Sequence, residues 1–241
     1  EKNKIKGKIL FLIDYNLNGL TYLNKIISQI NNSKIIYINT NKEPTNLLID
    51  NLCNSIIQSE KKIKLIFGIG GGSTLDVAKA ISIVLTNKDK TENFQGWDKV
   101  TKKPIFKIGI PTLAGTGSES TKTCVLINKS KNMKLGINSE FSIFNEIILD
   151  PLLLKTVSRD QYFFTGMDSY IHAFESNETI YQNSFSKHLS DLTIKLCNQI
   201  FNSHNMMSDK NLEKIMLASY FGGLSIAYST VGVVHPFSAG L

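Results

Sequence analysis

Two side chains that commonly bind metal ions stand four residues apart in the segment GMDSYIHAFES, at 166–176. On a helix, Asp168 and His172 project from the same face, with about 5–6 Å between their Cβ atoms. A carboxylate and an imidazole placed in this way can hold one divalent cation. A buried hydrogen bond between the two side chains, or a surface pair, would explain the same spacing. The D-x-x-x-H pattern alone leaves these alternatives open.

His235 is a third candidate ligand, in the segment GVVHPFSAGL at 232–241. Apolar residues lie on both sides of it, which is unusual for a histidine without a role at the protein surface. A core histidine with one hydrogen-bond partner is the alternative interpretation.

Two loops rich in glycine and hydroxyl groups each follow a predicted strand. In GIGGGSTLDVAKA, at 68–80, the glycines and a serine fall where the strand ends and a helix begins. Free N–H groups and the positive end of the helix dipole meet there and favour a phosphate. The segment matches neither the G-x-G-x-x-G fingerprint nor a Walker loop, and a tight turn without a ligand is the alternative. The segment IPTLAGTGSES, at 110–120, repeats the arrangement, so the two loops could hold opposite sides of one nucleotide.

Asp14 ends the first predicted strand, KILFLID, at 8–14. From this position a carboxylate can accept hydrogen bonds from a ribose 2′-OH and repel a 2′-phosphate, which favours NAD over NADP. A simple turn aspartate is the alternative.

The elements that must position these residues follow from hydrophobic periodicity. Short apolar runs rich in β-branched residues predict four buried parallel strands, at 8–14, 34–39, 64–70 and 106–111. Segments with helical spacing lie between them, at 22–30, 45–59 and 74–85. This alternation predicts a doubly wound α/β domain over residues 1–149. From Asp150–Pro151 onward the periodicity is helical with no convincing strand, which predicts a helical domain over 150–241.

The composition excludes several classes of protein. The 241 residues, 42% of them hydrophobic, suffice for a substantial core. The net charge of +7 comes from lysines spread among apolar residues. With Arg159 as the single arginine, the bidentate contacts of sequence-specific nucleic-acid readers have almost no source. We therefore expect no nucleic-acid partner.

The cysteines and the apolar runs indicate the compartment. Cys53, Cys124 and Cys197 are odd in number and set among apolar residues, as buried free thiols are in a reducing environment. No apolar run approaches the roughly 18–20 residues of a membrane span, and the first run reaches Asp14 too soon for a signal peptide. We expect a cytoplasmic protein without a membrane partner.

Five segments, taken in chain order, closely resemble the signature segments of the iron-dependent (group III) alcohol dehydrogenase family. They are GGGSTLDVAKA, IPTLAGTGSES, the Asp-Pro at 150–151, GMDSYIHAFES and GVVHPFSAGL. The resemblance extends from about Lys8 to the last residue. It implies an N-terminal nucleotide-binding α/β domain, a C-terminal helical domain and an active site in the cleft between them.

The resemblance also implies where NAD would bind. Asp14 would select the cofactor ribose, and the pyrophosphate would lie on Gly71, Gly72 and Ser73. The residues implied to lie near the same nucleotide are Thr112, Thr116 and Lys134, the last in the segment KLGINS.

Asp168, His172 and His235 would be the metal ligands and thereby the catalytic residues. Nitrogen and oxygen ligands without a thiolate suit Fe(II) and Zn(II) alike. The fourth ligand of the family, another histidine, would lie past Leu241. Many members carry a further histidine four residues after the third ligand, which is thought to pass protons. This sequence has Ala239 there, so no residue is assigned to proton transfer. His188 and His204 match no functional position, and we expect them on a helix surface and in a loop.

The implied reaction is oxidation of a primary alcohol, with hydride transfer to a nicotinamide held beside the metal ion. Within the family, the sequence most resembles the branch that includes the 3-deoxy-manno-octulosonate (Kdo) 8-oxidases. The segments that carry this resemblance are KLGINS, FFTGMDSYIHAFES and GGLSIAYSTVGVVHPFSAGL. This predicts the C8 hydroxyl of Kdo as substrate. The alternatives are a lyase or cyclase like the dehydroquinate synthases and a nucleotide-binding relative without catalysis. We expect a homo-oligomer, a dimer.

Overall fold

The computed structural model describes residues 7–59 and 62–239. They form two compact units. The first contains the described residues up to Ile110 together with Thr123–Ile148, and the second contains Pro111–Lys122 and the chain from Leu149 onward. The sequence analysis assigned residues 111–122 to the N-terminal domain, but in the structure they group with the second unit. The reason is a set of contacts with helices more than fifty residues further along the chain.

Among the described residues, eight strands belong to the first unit, apart from the last residue of the fifth strand. They are β1 (Lys8–Asp14), β2 (Ser33–Ile38), β3 (Ile63–Gly70), β4 (Gly96–Trp97), β5 (Phe106–Pro111), β6 (Thr123–Asn128), β7 (Met133–Asn138) and β8 (Glu146–Ile147). Five of them form one sheet in the order β2-β1-β3-β5-β8, in which β1 pairs in parallel with both β2 and β3. The strand order therefore reverses between β1 and β3, the place where open α/β sheets bind ligands.

The helices of the first unit are α1 (Thr21–Ser28), α2 (Asn46–Ser59), α3 (Gly72–Asn87) and the single turn α4 (Thr91–Phe94). The four predicted strands and the three predicted helices are confirmed within two residues at most ends. Four strands were not predicted, namely β4, β6, β7 and β8. Of these, β6 and β7 pair antiparallel with each other in a separate three-stranded sheet, β4-β7-β6.

The second unit contains α5 (Arg159–Glu178), α6 (Ser184–Phe201), α7 (Asp209–Ala227) and α8 (Val234–Ala239). Its core includes Tyr162 of α5, Cys197 of α6 and Ile215 of α7. Apart from Pro111, the last residue of β5, no described residue of this unit lies in a strand. The predicted fold class, an α/β sheet followed by helices, is confirmed. Within residues 7–59 and 62–239, no helix has both the length and the apolar character that crossing a membrane requires. The three cysteines are free and buried, as predicted.

Two lysines are buried in the first unit, and their amines bind backbone carbonyls. Lys107 on β5 donates to Phe141 O at 2.9 Å, and Lys79 on α3 donates to Thr123 O at 2.8 Å. Burial, with the nearby charge of Lys79, lowers the pKa of Lys107 to about 8 from its ordinary 10.5. The protonated form of Lys107 is therefore disfavoured by folding.

We predict that the replacement Lys107→Met removes a component of stability that rises with pH. Between pH 8 and 10.5 the unfolded chain holds a proton on Lys107 that the folded chain has released. The free energy of unfolding of the wild type should therefore rise relative to that of the variant, by up to about 1.4 kcal/mol per pH unit. Urea unfolding of both proteins across this range measures the difference.

The exposed neighbour Lys103 provides the matched control, Lys103→Met. Burial raises the pKa of Cys53 and Cys197 to about 12. Above pH 9 these thiols therefore lower the free energy of unfolding as pH rises. The effect is the same in the wild type and in each variant, so it cancels when their free energies are compared. A difference between wild type and Lys107→Met that stays constant with pH would contradict this account.

Candidate metal centre

Helix α5 carries two of the three predicted metal ligands. Its first turn is capped by Ser158, whose Oγ accepts a hydrogen bond from Gln161 N at 3.2 Å. Asp168 and His172 follow in the middle of the helix, one turn apart, as their spacing predicts. His172 Nε2 lies 3.7 Å from Asp168 Oδ1, and the ring of His172 is buried. The helix therefore presents a carboxylate and an imidazole at one point.

His235 reaches the same point from α8. Its Nε2 lies 3.2 Å from Asp168 Oδ1, and its ring stacks on that of His172 with 4.4 Å between the centroids. One ligand atom from each of the three residues lies within 4.8 Å of the other two. The structure thus brings the three predicted ligands together at a site that can face one cation.

The protonation states suit a cation. Burial lowers the pKa of His172 to about 4, which leaves its imidazole neutral near pH 7 with a lone pair to donate. Burial raises the pKa of Asp168, but the hydrogen bond from His235 and the two imidazoles outweigh this, so the net pKa is lowered and the carboxylate is ionised. Two imidazoles and one carboxylate, without a thiolate, are ligands that Fe(II) and Zn(II) both accept.

Burial also lowers the pKa of His235, but its hydrogen bonds to Asp168 and Glu175 outweigh burial, so the net pKa is raised. The two carboxylates therefore favour the protonated form of His235. Since a metal ligand must release its proton from the coordinating nitrogen, ion binding at this site competes with protons.

Glu175 is a residue of this site that the sequence analysis missed. It lies one turn beyond His172 on α5 and is 4% exposed. One carboxylate oxygen accepts from Val234 N at 2.6 Å, and the other contacts His235 Nδ1. Its spacing of seven residues from Asp168 places it on the same face of the helix, a signal that the sequence contained.

Residues 111–122, here called the hydroxyl loop, lie against α5 and α7. Gly115 O accepts from Ser169 Oγ at 3.2 Å. Gly115 N and Gly117 N donate to Ser219 Oγ at 2.8 and 3.3 Å, and Ser219 in turn donates to Glu119 Oε1 at 3.0 Å. One hydroxyl on α7 therefore fixes three positions of the loop.

Two glycines of the hydroxyl loop allow this close packing. A Cβ on Gly115 would lie 1.9 Å from Thr165 O. Gly117 has φ +59°, and a Cβ there would lie 2.5 Å from Gly223 Cα. Of the two threonines predicted to line the nucleotide, Thr112 is buried, while Thr116 is exposed and accepts from Ser118 N at 3.2 Å. Both belong to the unit that holds the three metal ligands.

The predicted pyrophosphate loop lies in the first unit, after β3. Gly71 is the N-cap of α3 and supplies no side-chain hydrogen bond, and Gly72 and Ser73 begin the helix. Gly70 permits a close approach, because a Cβ there would lie 2.7 Å from the Oγ1 of Thr74. The N–H groups of the first turn thus lack a capping side chain at the β1/β3 reversal.

Asp14 lies at the same reversal and is bound to its neighbours. Its Oδ1 accepts from Asn16 N at 2.9 Å, and its Oδ2 accepts from Thr40 Oγ1 at 3.0 Å. The carboxylate therefore caps a turn, which is the simpler of the two alternatives, while its role toward a ribose stays a prediction. Lys134, on β7, forms an ion pair with Glu43 at 2.5 Å.

The remaining predictions concern histidines and the fourth ligand. His188 lies exposed on α6 and His204 lies exposed in the loop before α7, as predicted. The side chain of Ala239 falls outside the described residues, and the fourth ligand stays a prediction.

Comparisons with known proteins agree on one family. The family model of iron-containing alcohol dehydrogenases matches residues 1–151. The 4-hydroxybutyrate dehydrogenase of Clostridium kluyveri is 29% identical over 204 residues, which cover 81% of this chain and 53% of that protein. The sulfoacetaldehyde reductase of Bilophila wadsworthia is 31% identical over 173 residues, 71% of this chain and 45% of that protein.

A solved structure has the same fold. The sulfoacetaldehyde reductase of Bifidobacterium kashiwanohense in complex with NAD+ superimposes with a TM-score of 0.83 at 23% identity, over 93% of this chain and 60% of that one. The chain spans about half the length of the curated relatives it matches.

We predict that Ser219→Ala destabilises the second unit by about 1–3 kcal/mol, because it leaves two N–H groups and the carboxylate of Glu119 without this hydroxyl in a buried position. Urea unfolding measures the loss. The control is Ser184→Ala, at an exposed serine of the same unit, which should leave the midpoint unchanged. Equal midpoints for both variants would contradict the role assigned to Ser219.

Proposed function

Because the chain belongs to the iron-containing alcohol dehydrogenase family, we propose that it acts in the metal-dependent transfer of hydride between an alcohol and NAD. One observation carries the proposal: ligand atoms of Asp168, His172 and His235 converge within 4.8 Å. The family name favours iron as the resident ion, and zinc suits the same donors.

Each of the three side chains would contribute a different property to the binding of this ion. The neutral ring of His172 donates a nitrogen lone pair, Asp168 contributes a negative charge, and His235 contributes a second nitrogen once its proton has left. A divalent ion bound there supplies a positive charge that lowers the pKa of a coordinated hydroxyl group. The burial of His172 restricts water on its side of the site.

For the cofactor, we propose that NAD binds at the start of α3. The uncapped N–H groups and the glycines at 71 and 72 suit a pyrophosphate, with Ser73 as a further donor. The sulfoacetaldehyde reductase of Bifidobacterium kashiwanohense forms a complex with NAD+, which supports the choice of cofactor. Thr112 and Thr116 are proposed to line the nucleotide. A role for Lys134 near the cofactor requires that its surface ion pair with Glu43 opens.

For the substrate, we propose the C8 hydroxyl of Kdo. The resemblance of the motif sequences to the Kdo 8-oxidase branch supports this choice, and the net charge of +7 is compatible with an anionic sugar acid. A panel of Kdo, 4-hydroxybutyrate, sulfoacetaldehyde and short diols, each with NAD(H) and NADP(H), tests it. Reaction of the short diols alone would overturn the Kdo assignment. Turnover of a substrate without stoichiometric formation or loss of NADH would indicate a lyase or cyclase instead.

The homodimer, the absence of nucleic-acid and membrane partners, and a cytoplasmic location stay predictions. Light scattering after size-exclusion chromatography tests the first of them.

We predict that Asp168→Ala and His172→Ala each lower the affinity for Fe(II) or Zn(II) by more than about 100-fold, beyond the loss typical of residues outside the ligand set. Metal content after anaerobic loading and dialysis, with NADH absorbance as the activity assay, measures the effect. His204→Ala, at an exposed histidine, is the control and should bind as the wild type does. Full metal content and activity in the Asp168→Ala, His172→Ala double variant would refute the proposal.

We predict that Asp14→Asn weakens discrimination against NADP by about 10-fold, since the amide no longer repels a 2′-phosphate. Equilibrium titration with NAD and NADP measures the ratio of the two dissociation constants. The matched control is Asp89→Asn, at an exposed aspartate of the same unit that also accepts a backbone hydrogen bond. An unchanged ratio in Asp14→Asn would leave Asp14 as a turn residue only.

A further inference from the structure

Glu175 is a buried carboxylate, and both of its oxygens face one dipeptide. One oxygen accepts from Val234 N at 2.6 Å, and the other contacts Nδ1 of His235. A carboxylate that is 4% exposed persists only when its oxygens have such partners. The two contacts therefore attach the start of α8 to the last turn of α5.

The two ring nitrogens of His235 are divided between two carboxylates of α5. Nδ1 faces Glu175, and Nε2 lies 3.2 Å from Asp168 Oδ1 on the side of His172. An imidazole that donates from Nδ1 keeps the lone pair of its neutral form on Nε2. The contact with Glu175 thus selects the tautomer whose unprotonated nitrogen is Nε2, on the side of Asp168.

The backbone before His235 is shaped to receive the carboxylate. A Cβ on Gly232 would lie 2.9 Å from Glu175 Oε1 and 3.1 Å from its Cγ, so the glycine leaves room for the side chain. Helix α8 has six described residues, too few to hold its orientation by its own hydrogen bonds. Its placement depends on contacts such as this one.

We propose that Glu175 is a positioning residue for the metal centre. It holds the ring of His235 with Nε2 directed toward Asp168 and His172, and it is not a ligand, because both of its oxygens are engaged by α8. The inference rests on the proposed metal-binding function.

The variant Glu175→Gln separates this role from simple space filling. Glutamine has nearly the same shape but one acceptor oxygen, whereas Val234 N–H and His235 Nδ1–H both require an acceptor. If the oxygen serves Val234, the amide NH2 group faces Nδ1 and favours the tautomer with its proton on Nε2. That tautomer cannot offer Nε2 to a cation.

The experiment titrates the metal-free chain with Zn(II) and Co(II) against a competing chelator, without reference to enzymatic activity. We expect Glu175→Gln to bind both ions about 10- to 100-fold more weakly and to change the visible spectrum of bound Co(II). The control is Glu178→Gln, at an exposed glutamate of the same helix, which should match the wild type. Circular dichroism and urea unfolding establish that each variant is folded.

Gly232→Ala is a second variant, in case Glu175→Gln does not fold. It crowds the carboxylate from the opposite side without changing the hydrogen-bonding groups, and we expect weaker metal binding as well. Wild-type affinity in either folded variant would overturn the inference, as would an equal loss in Glu178→Gln, which would reflect lost charge alone. If the wild-type chain binds neither ion, the proposed metal function fails together with the inference. Binding by the wild type with no loss in Glu175→Gln refutes only the role of Glu175.

Discussion

The candidate metal centre depends on one imidazole shared by two carboxylates of a single helix. His235 contacts Asp168 through one ring nitrogen and Glu175 through the other. Asp168, His172 and Glu175 occupy one face of α5 because they are spaced by four and three residues. Everything that the site can do chemically requires α8 to remain against this face. The carboxylates of Asp168 and Glu175 both need the imidazole of His235 as a partner, because burying a carboxylate without a partner costs free energy.

The hydroxyl loop is fixed to the same helices through backbone groups rather than through large side chains. Small residues make this possible, because Gly117 and Gly223 approach each other where any Cβ would clash. Ser169 joins the loop to the helix that carries the metal ligands. Two of the residues predicted to line the nucleotide, Thr112 and Thr116, are therefore parts of the same compact unit as the residues predicted to hold the ion. A change in the packing of α7 would disturb both sets.

The sequence predicted well those features that repeat locally. Strands such as 64–70 are buried on both faces and appear as continuous apolar runs, which is why their ends were found within a residue or two. By contrast, only one of the six residues of β7 is buried, and the strand contains Gly136, so no apolar run marks it. Asp168 and His172 were visible because helical spacing is a local signal. His235 could be joined to them through the resemblance alone, since 67 residues separate it from Asp168.

The burial of Glu175 and the packing of the hydroxyl loop could not be predicted from the sequence. Glutamate is a common residue on helices, so its burial and its contact with α8 could not be seen without tertiary structure. The loop follows β5 directly and was assigned to its neighbours in sequence, but Ser219, about a hundred residues further on, decides where it packs. The substrate is a still finer property, because it depends on side chains that no local pattern identifies.

The outer edge of β6 has a consequence for the behaviour of the protein in a crowded solution. This strand ends the three-stranded sheet, yet Thr123 O accepts from Lys79 Nζ, Val125 N donates to Asp76 Oδ2 and Ile127 N donates to Pro44 O. Two charged side chains of a helix and one loop carbonyl thus replace the partner strand. An unpaired edge would be a template for aggregation between chains, and here its hydrogen-bonding groups are already occupied at alternate residues.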